Sequence, residues 1–322
     1  MQKKIPVSLL QIGMYVDLPL SWFSHGFLKN KFRIVSEEQI REIKNEGLTE
    51  ITIDTAKGID APLSAAPTTT ADQRLVAKPI ILDALLETIH DLTLPPPQKA
   101  TLIHEESRVM MQRLLEAPST ENIRIVKKGI REVVNLIFSD NDTTHHLLRI
   151  TSHDFYTYTH SVTVGVLGIA MAKTLFSKSD GHDMNELGAG FFLHDLGKVY
   201  IDQTILNKPG RLTDEEMKDV RRHPALGFKL LNETRQLTEE CKQIVLYHHE
   251  REDGSGYPKG LKGGELHIYG RICTIADVYD ALTSDRPYRE RMTPYSALEL
   301  MRKEMINYFQ RDLFEKFVMM FR

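Results

Sequence analysis

Short apolar and polar alternations fill the first sixty positions, and longer helical periods fill most of the rest. Val7–Val16 and Phe32–Val35 are brief apolar segments bounded by turn or polar residues. Ser36, with Gln39 at the capping-box position, predicts a helix start, and Gly47 its stop. Leu48–Asp54 alternates as a half-buried strand does. Residues 58–72 are rich in Ala, Pro and Thr without either period and read as a linker. Residues 73–90 read as mostly helical, with Pro79 as a start or kink and Pro95–Pro97 as a stop. Residues 98–138 read as helical, with an interruption near Pro118.

From about 141 onward the pattern is almost wholly helical. Val162–Leu175 is apolar on most sides, which predicts a buried helix. Asn185–His194 carries apolar residues into a His-Asp pair. Thr213–Glu216 has the capping-box pattern, and Thr238–His249 reads as a helix ending in two histidines. Glu252–Gly264, with five glycines, reads as a loop. Ile268–Ser284 and an amphipathic segment from Tyr295 complete the chain. The expected organisation is a small α/β domain over 1–60, connecting helices over 61–140 and a helical domain over 141–322.

Composition narrows the classes. The 322 residues hold 41 Lys and Arg against 44 Asp and Glu, so the net charge of −3 carries no global signature for polymeric nucleic acid. Cys241 and Cys273 are too few for a disulfide scaffold and suit a reducing cytoplasm. The longest apolar run, Val162–Ala172, is far shorter than the ~20 residues of a bilayer span. The N-terminus does not fit a secretory signal. The expected location is cytoplasmic, with no membrane partner.

Ten of the thirteen histidines fall between His145 and His267. His160, His194, Asp195, His223, His248, His249 and Asp277 are candidate ligands, because metal binding requires neutral imidazoles and ionised carboxylates on one point. Taken singly, His160 fits an ordinary hydrogen-bonded core histidine, His223 a cap before Pro224, and His248-His249 a chance pair. Asp277 is harder to explain so, because its neighbours are apolar and an unpaired buried carboxylate is costly. Together the seven exceed the four ligands of one tetrahedral zinc. They suit two cations about 3.5–4 Å apart. Asp195 is the natural bridge, since a carboxylate offers two oxygens and a neutral imidazole one acceptor. Lys198 would share a helix face with Asp195 and suggests a phosphate-bearing substrate, although alone it reads as a surface lysine.

In order, HSVTVG at 160–165, FFLHDLGKVYI at 191–201, HPALGFKLL at 223–231, HHEREDGSGYPKGL at 248–261 and GRICTIADVYDALTSDRPYR at 270–289 resemble the HD-GYP family of phosphodiesterases. IGMYV at 12–16, HGF at 25–27 and IDTAKG at 53–58 resemble the small N-terminal domain that often precedes it. The resemblance implies a mainly α fold and hydrolysis of cyclic di-GMP to pGpG, and in many members to GMP. It implies two or three ions, iron or manganese. One would be held by His160, His194, Asp195 and Asp277, the other by Asp195, His223, His248 and His249. Lys198 would contact the scissile phosphate, Gly256-Tyr257-Pro258 would shape the nucleotide pocket, and Arg286 and Arg289 would contact phosphate. Some members carry a glutamate where this chain has Tyr156 and bind a third metal. Two ions are therefore expected here, which weakens the expectation of full hydrolysis to GMP.

The expected chemistry is attack on phosphorus by a hydroxide bridging two cations. The alternatives are an HD enzyme acting on another nucleotide, and a catalytically weak cyclic di-GMP receptor. The N-terminal domain is the expected meeting place for a second copy or a signalling partner.

Overall fold

The computed structural model describes residues 2–7, 10–11, 13–17, 31–34, 40, 43–44, 50–55, 57–58, 79–150, 156–176, 181–208, 210–285 and 290–321. The chain divides into two compact units, Met1–Gln73 and Arg74–Arg322.

The first unit holds an antiparallel sheet of β1 (Gln2–Pro6), β2 (Tyr15–Asp17), β3 (Lys31–Arg33) and β4 (Glu50–Asp54), in the order β1-β4-β2-β3. Ile5 pairs with Ile51 and Val16 with Ile53. The alternation of β4 puts Ile51 and Ile53 inward, against Met14, Val16, Ile34, Ile40 and Ile43. β1 carries no strand alternation in its QKKIP text, which is mostly polar at an edge position. Ile40, Ile43 and Lys44 are helical, while the expected caps Ser36, Gln39 and Gly47 lie outside the described residues. So do HGF at 25–27 and most of the expected linker.

The second unit is helical. α1 spans Asp83–His90, α2 Pro96–Glu116, α3 Thr120–Ser139 and α4 Asn141–Leu147. Two expectations change here. Residues 79–82 are not helical, and Pro96-Pro97 open α2 instead of only stopping what precedes them. The first helical positions need no intrahelical N–H, so proline fits there.

α5 (Thr157–Phe176) and α6 (Met184–Leu193) form the centre of this unit. By length and composition α5 would pass as a membrane span, yet 72% of its most apolar window is buried within the protein. Gly165 and Gly168 of α5 receive the rings of Phe192 and Phe191 from α6, and a Cβ at either glycine would collide with them. This close approach brings His160, on α5, to the end of α6.

After α6 the chain tightens into a 3₁₀ segment, Leu196–Tyr200. α7 (Gln203–Leu206), α8 (Asp214–Val220), α9 (His223–Glu233) and α10 (Glu239–Tyr247) follow, and the expected Thr213–Glu216 capping box opens α8. α11 (Ile268–Thr283) crosses back over the centre. The C-terminal segment is not one helix: α12 (Pro294–Glu304) and α13 (Arg311–Met319) are separated by a 3₁₀ turn at Ile306–Tyr308.

Candidate metal centre

α6 ends at Leu193, so His194 and Asp195 stand at a helix C-terminus with their side chains turned into the unit. Lys198 would share a face with Asp195 if the α-helix continued past His194. The chain is instead 3₁₀ there, where residues three apart eclipse one another. Lys198 Nζ accordingly lies 2.5 Å from Asp195 Oδ2. Gly197 lets this turn pack closely on α9, because a Cβ there would lie 2.0 Å from the carbonyl oxygen of His223.

All seven candidate ligands converge. Asp195 Oδ1 faces His223 Nε2 at 3.1 Å and His248 Nε2 at 3.8 Å. Its Oδ2 faces His160 Nε2 at 3.4 Å and His194 Nε2 at 3.5 Å. Asp277 Oδ1 lies 3.2 Å from His160 Nε2, and its Oδ2 lies 3.4 Å from His249 Nδ1. Donor atoms of Asp195, His223, His248 and His249 lie within 4.8 Å of one another, as do those of His160, His194 and Asp277. The two oxygens of Asp195 thus point to different imidazole sets.

The outer nitrogens of these rings are already engaged. His194 Nδ1 donates to the Phe191 carbonyl at 2.8 Å, His223 Nδ1 to Val220 at 2.7 Å and His248 Nδ1 to Val245 at 3.1 Å. Carbonyl oxygens only accept, so each neutral ring presents a lone pair at Nε2. His223 Nε2 and His248 Nε2 then face each other at 3.1 Å, with Asp195 Oδ1 beside them. That oxygen is buried and, among the described residues, has no hydrogen-bond partner. Three acceptors around one point, with no proton among them, fit a cation. Nitrogen and carboxylate donors without thiolate suit iron, manganese or zinc.

Electrostatics agree. Burial opposes charge on Asp195, yet Lys198 and His194 hold its carboxyl well below the usual range. Asp277 behaves likewise: burial raises its pKa, but the bond from His160 and the nearby imidazoles outweigh this. Burial keeps His248 neutral and lowers His249 to about 3. His160 is the exception. Burial lowers its pKa, but its bonds to Asp277 and Asp280 prevail and raise it to about 9.

Three supporting residues were not singled out in the sequence. Asp280 Oδ2 accepts from His160 Nδ1 at 2.6 Å. Its signal was its position three residues beyond Asp277, on the same helix face. Glu250, 1% exposed, accepts from the backbone of Lys259 at 2.6 Å and of Leu261 at 3.0 Å and so ties down the 251–261 loop. Thr274 Oγ1 donates to the His248 carbonyl at 2.8 Å.

In that loop a Cβ at Gly256 would lie 2.5 Å from the His249 carbonyl oxygen, so glycine is required. The Tyr257 ring stacks on His249 at 4.6 Å and carries Arg221 over it at 5.2 Å; Pro258 is exposed. Tyr156 is 48% exposed and stacks on Tyr158 at 5.0 Å. Arg286 and Arg289 lie outside the described residues.

Residues 143–313 match the family model of the HD domain. The chain belongs to the HD-domain family. A second model, described as "Domain of unknown function (DUF3391)", matches residues 2–122 of this HD-domain protein, well beyond the first sixty. The HD-domain chain is 34% identical over 324 residues to a cyclic di-GMP phosphodiesterase of Pseudomonas aeruginosa, covering 99% of this chain and 76% of that protein. Shorter matches include the cyclic di-GMP phosphodiesterase response regulator RpfG of Xanthomonas campestris, 48% identical over 33% of this chain and 28% of that one. The 3′3′-cGAMP-specific phosphodiesterase 2 of Vibrio cholerae is 41% identical over 38% of this chain and 24% of that one. Among solved structures, Bd1817, an HDG"Y"P protein from Bdellovibrio bacteriovorus, superposes with a TM-score of 0.63 at 18% identity over 98% of both chains, a likeness of fold.

Proposed function

We propose that this chain is a metal-dependent phosphodiesterase that hydrolyses cyclic di-GMP to linear pGpG. The observation that carries the reading is Asp195, a buried carboxylate whose two oxygens address two separate imidazole sets. Similarity over nearly the whole chain to a protein named as a cyclic di-GMP phosphodiesterase supplies the substrate.

In this reading His160, His194, Asp195 and Asp277 hold one divalent ion, and Asp195, His223, His248 and His249 a second, with iron or manganese the preferred metals. Ions held there supply an activated water and positive charge against the phosphate. The protein supplies the rest. Asp280 and the carbonyls of Phe191, Val220 and Val245 fix the tautomers and ring orientations, so nothing need reorganise as charge develops on phosphorus. Lys198 Nζ, beside Asp195 and on the wall of a cavity, is placed to take a non-bridging phosphate oxygen. Glu250 holds the loop carrying Gly256, Tyr257 and Pro258, which closes the nucleotide pocket over His249. Tyr156, in place of a carboxylate, favours two ions over three and pGpG over GMP. The two buried, unpaired thiols favour a cytoplasmic setting.

The test is anaerobic purification with iron or manganese, metal analysis, and chromatography of the products from cyclic di-GMP. Release of pGpG that chelation stops is the expected result. Absence of turnover with every metal tried would reject the reading in favour of a receptor.

A further inference from the structure

A cavity of about 800 Å³ adjoins the candidate metal centre. That size lies within the roughly 300–1,000 Å³ of small-molecule pockets. Lys198, whose ammonium stands 2.5 Å from Asp195 Oδ2, is part of its wall, so cavity and metal centre share a boundary. The last turns of α2, well upstream of the histidine motifs, also line it through Gln112, Leu115 and Glu116. Leu115, Val199 and Met217 give it apolar surface. Gln112 Nε2 donates to Glu116 Oε1 at 3.1 Å, and among the described residues Glu116 makes no ion pair. On an ordinary solvated helix face such an i, i+4 pair would need no ligand. Here it faces a cavity whose wall also carries the Lys198 ammonium.

The geometry points to Glu116, with Gln112, as the reader of a guanine edge in this cavity, selecting guanine over adenine in the cyclic dinucleotide. The inference rests on the phosphodiesterase reading above. Guanine presents two adjacent donors, N1–H and the N2 amino group, next to the O6 acceptor. An ionised carboxylate only accepts and takes both donors, while the Gln112 amide donates to O6. Adenine would turn its N1 lone pair toward the carboxylate, leaving both acceptors unpaired. One such position accepts cyclic di-GMP and also cyclic GMP-AMP, whose single guanine can enter, and it disfavours cyclic di-AMP.

The test uses the metal-loaded full chain and slowly hydrolysed phosphorothioate analogues of cyclic di-GMP and cyclic di-AMP, with binding measured by calorimetry. Wild-type protein is expected to prefer the guanine ligand at least tenfold. In Glu116→Gln and Glu116→Ala that ratio is expected to fall to about threefold or less, with Tm unchanged because Glu116 is exposed. An unchanged ratio in both variants, alongside normal wild-type hydrolysis of cyclic di-GMP, overturns the inference and leaves the phosphodiesterase reading standing. Wild-type protein that neither binds the analogues nor hydrolyses cyclic di-GMP overturns both.

Discussion

Asp280 Oδ2 lies 2.6 Å from His160 Nδ1, and both side chains are buried. The carboxylate fixes the far side of a ring whose near side faces Asp195 and Asp277. An acceptor in this position sets both ring orientation and basicity, and losing one typically costs a metal site about 10–100-fold in affinity. Asp280→Asn is therefore expected to weaken divalent-metal binding by about that factor without removing a ligand. Metal content after dialysis against a graded chelator checks it, and unaltered retention would exclude a supporting role for Asp280.

Asp195→Ala removes a buried carboxylate whose two oxygens face both imidazole sets. Both sets are expected to lose metal, and turnover of cyclic di-GMP is expected to fall by at least about a thousandfold, the scale of losing a principal charge-stabilising group. Metal analysis and product chromatography are read together. A variant that keeps one ion and near-normal turnover would refute the bridging role.

The pKa of His160 has a consequence for metal affinity. In the metal-free protein it is raised from 6.5 to about 9 by Asp277 and Asp280, against the effect of burial. The stabilisation from this imidazolium is full below pH 6.5 and is lost as pH rises through 9. A cation must displace that proton, so manganese affinity is expected to rise about tenfold per unit between pH 7 and 9 and then level off. His249, at about 3, stays neutral throughout this range. Calorimetric titrations in buffers of different ionisation enthalpy should register close to one proton released at pH 7.5; a pH-independent affinity is the contrary result.

Glu250→Ala strips the acceptors from the backbone N–H groups of Lys259 and Leu261. Each bond to a buried charged acceptor contributes about 1.5–3 kcal/mol. A loss of about 2 kcal/mol or more in unfolding free energy and a raised KM are expected together. Unchanged stability and KM would show that the loop is held by other contacts.

Gly197→Ala would drive a Cβ against the His223 carbonyl and the Gly227 amide, both rigid backbone atoms. Overpacking of this kind costs about 1–3 kcal/mol. Because the displaced backbone carries His223, metal affinity is expected to fall as well. Denaturant unfolding and metal titration check the two effects, and a neutral outcome in both would count against the close packing.

Which residue types were available is legible along the chain. The order His160, His194-Asp195, His223, His248-His249, Asp277 supplied a donor set too large for one tetrahedral ion, and the helical periods from about 141 onward set the architecture around it. Such features are local, because periodicity and ligand chemistry need no knowledge of what lies across the core. Packing set which groups face one another. Packing of Phe191 and Phe192 onto the glycines of α5 set the spacing between His160 and His194. The 3₁₀ turn that aims Lys198 at Asp195, the assignment of Asp280 to His160 and of Glu250 to the loop, and the approach of α2 to the cavity all join segments distant in sequence or depend on backbone detail within one turn. Spacing hints at the Asp195/Lys198 and Asp277/Asp280 pairs, but the partner each meets is set only when helices close on a shared core and leave particular lone pairs, carbonyls and ammonium groups facing one another.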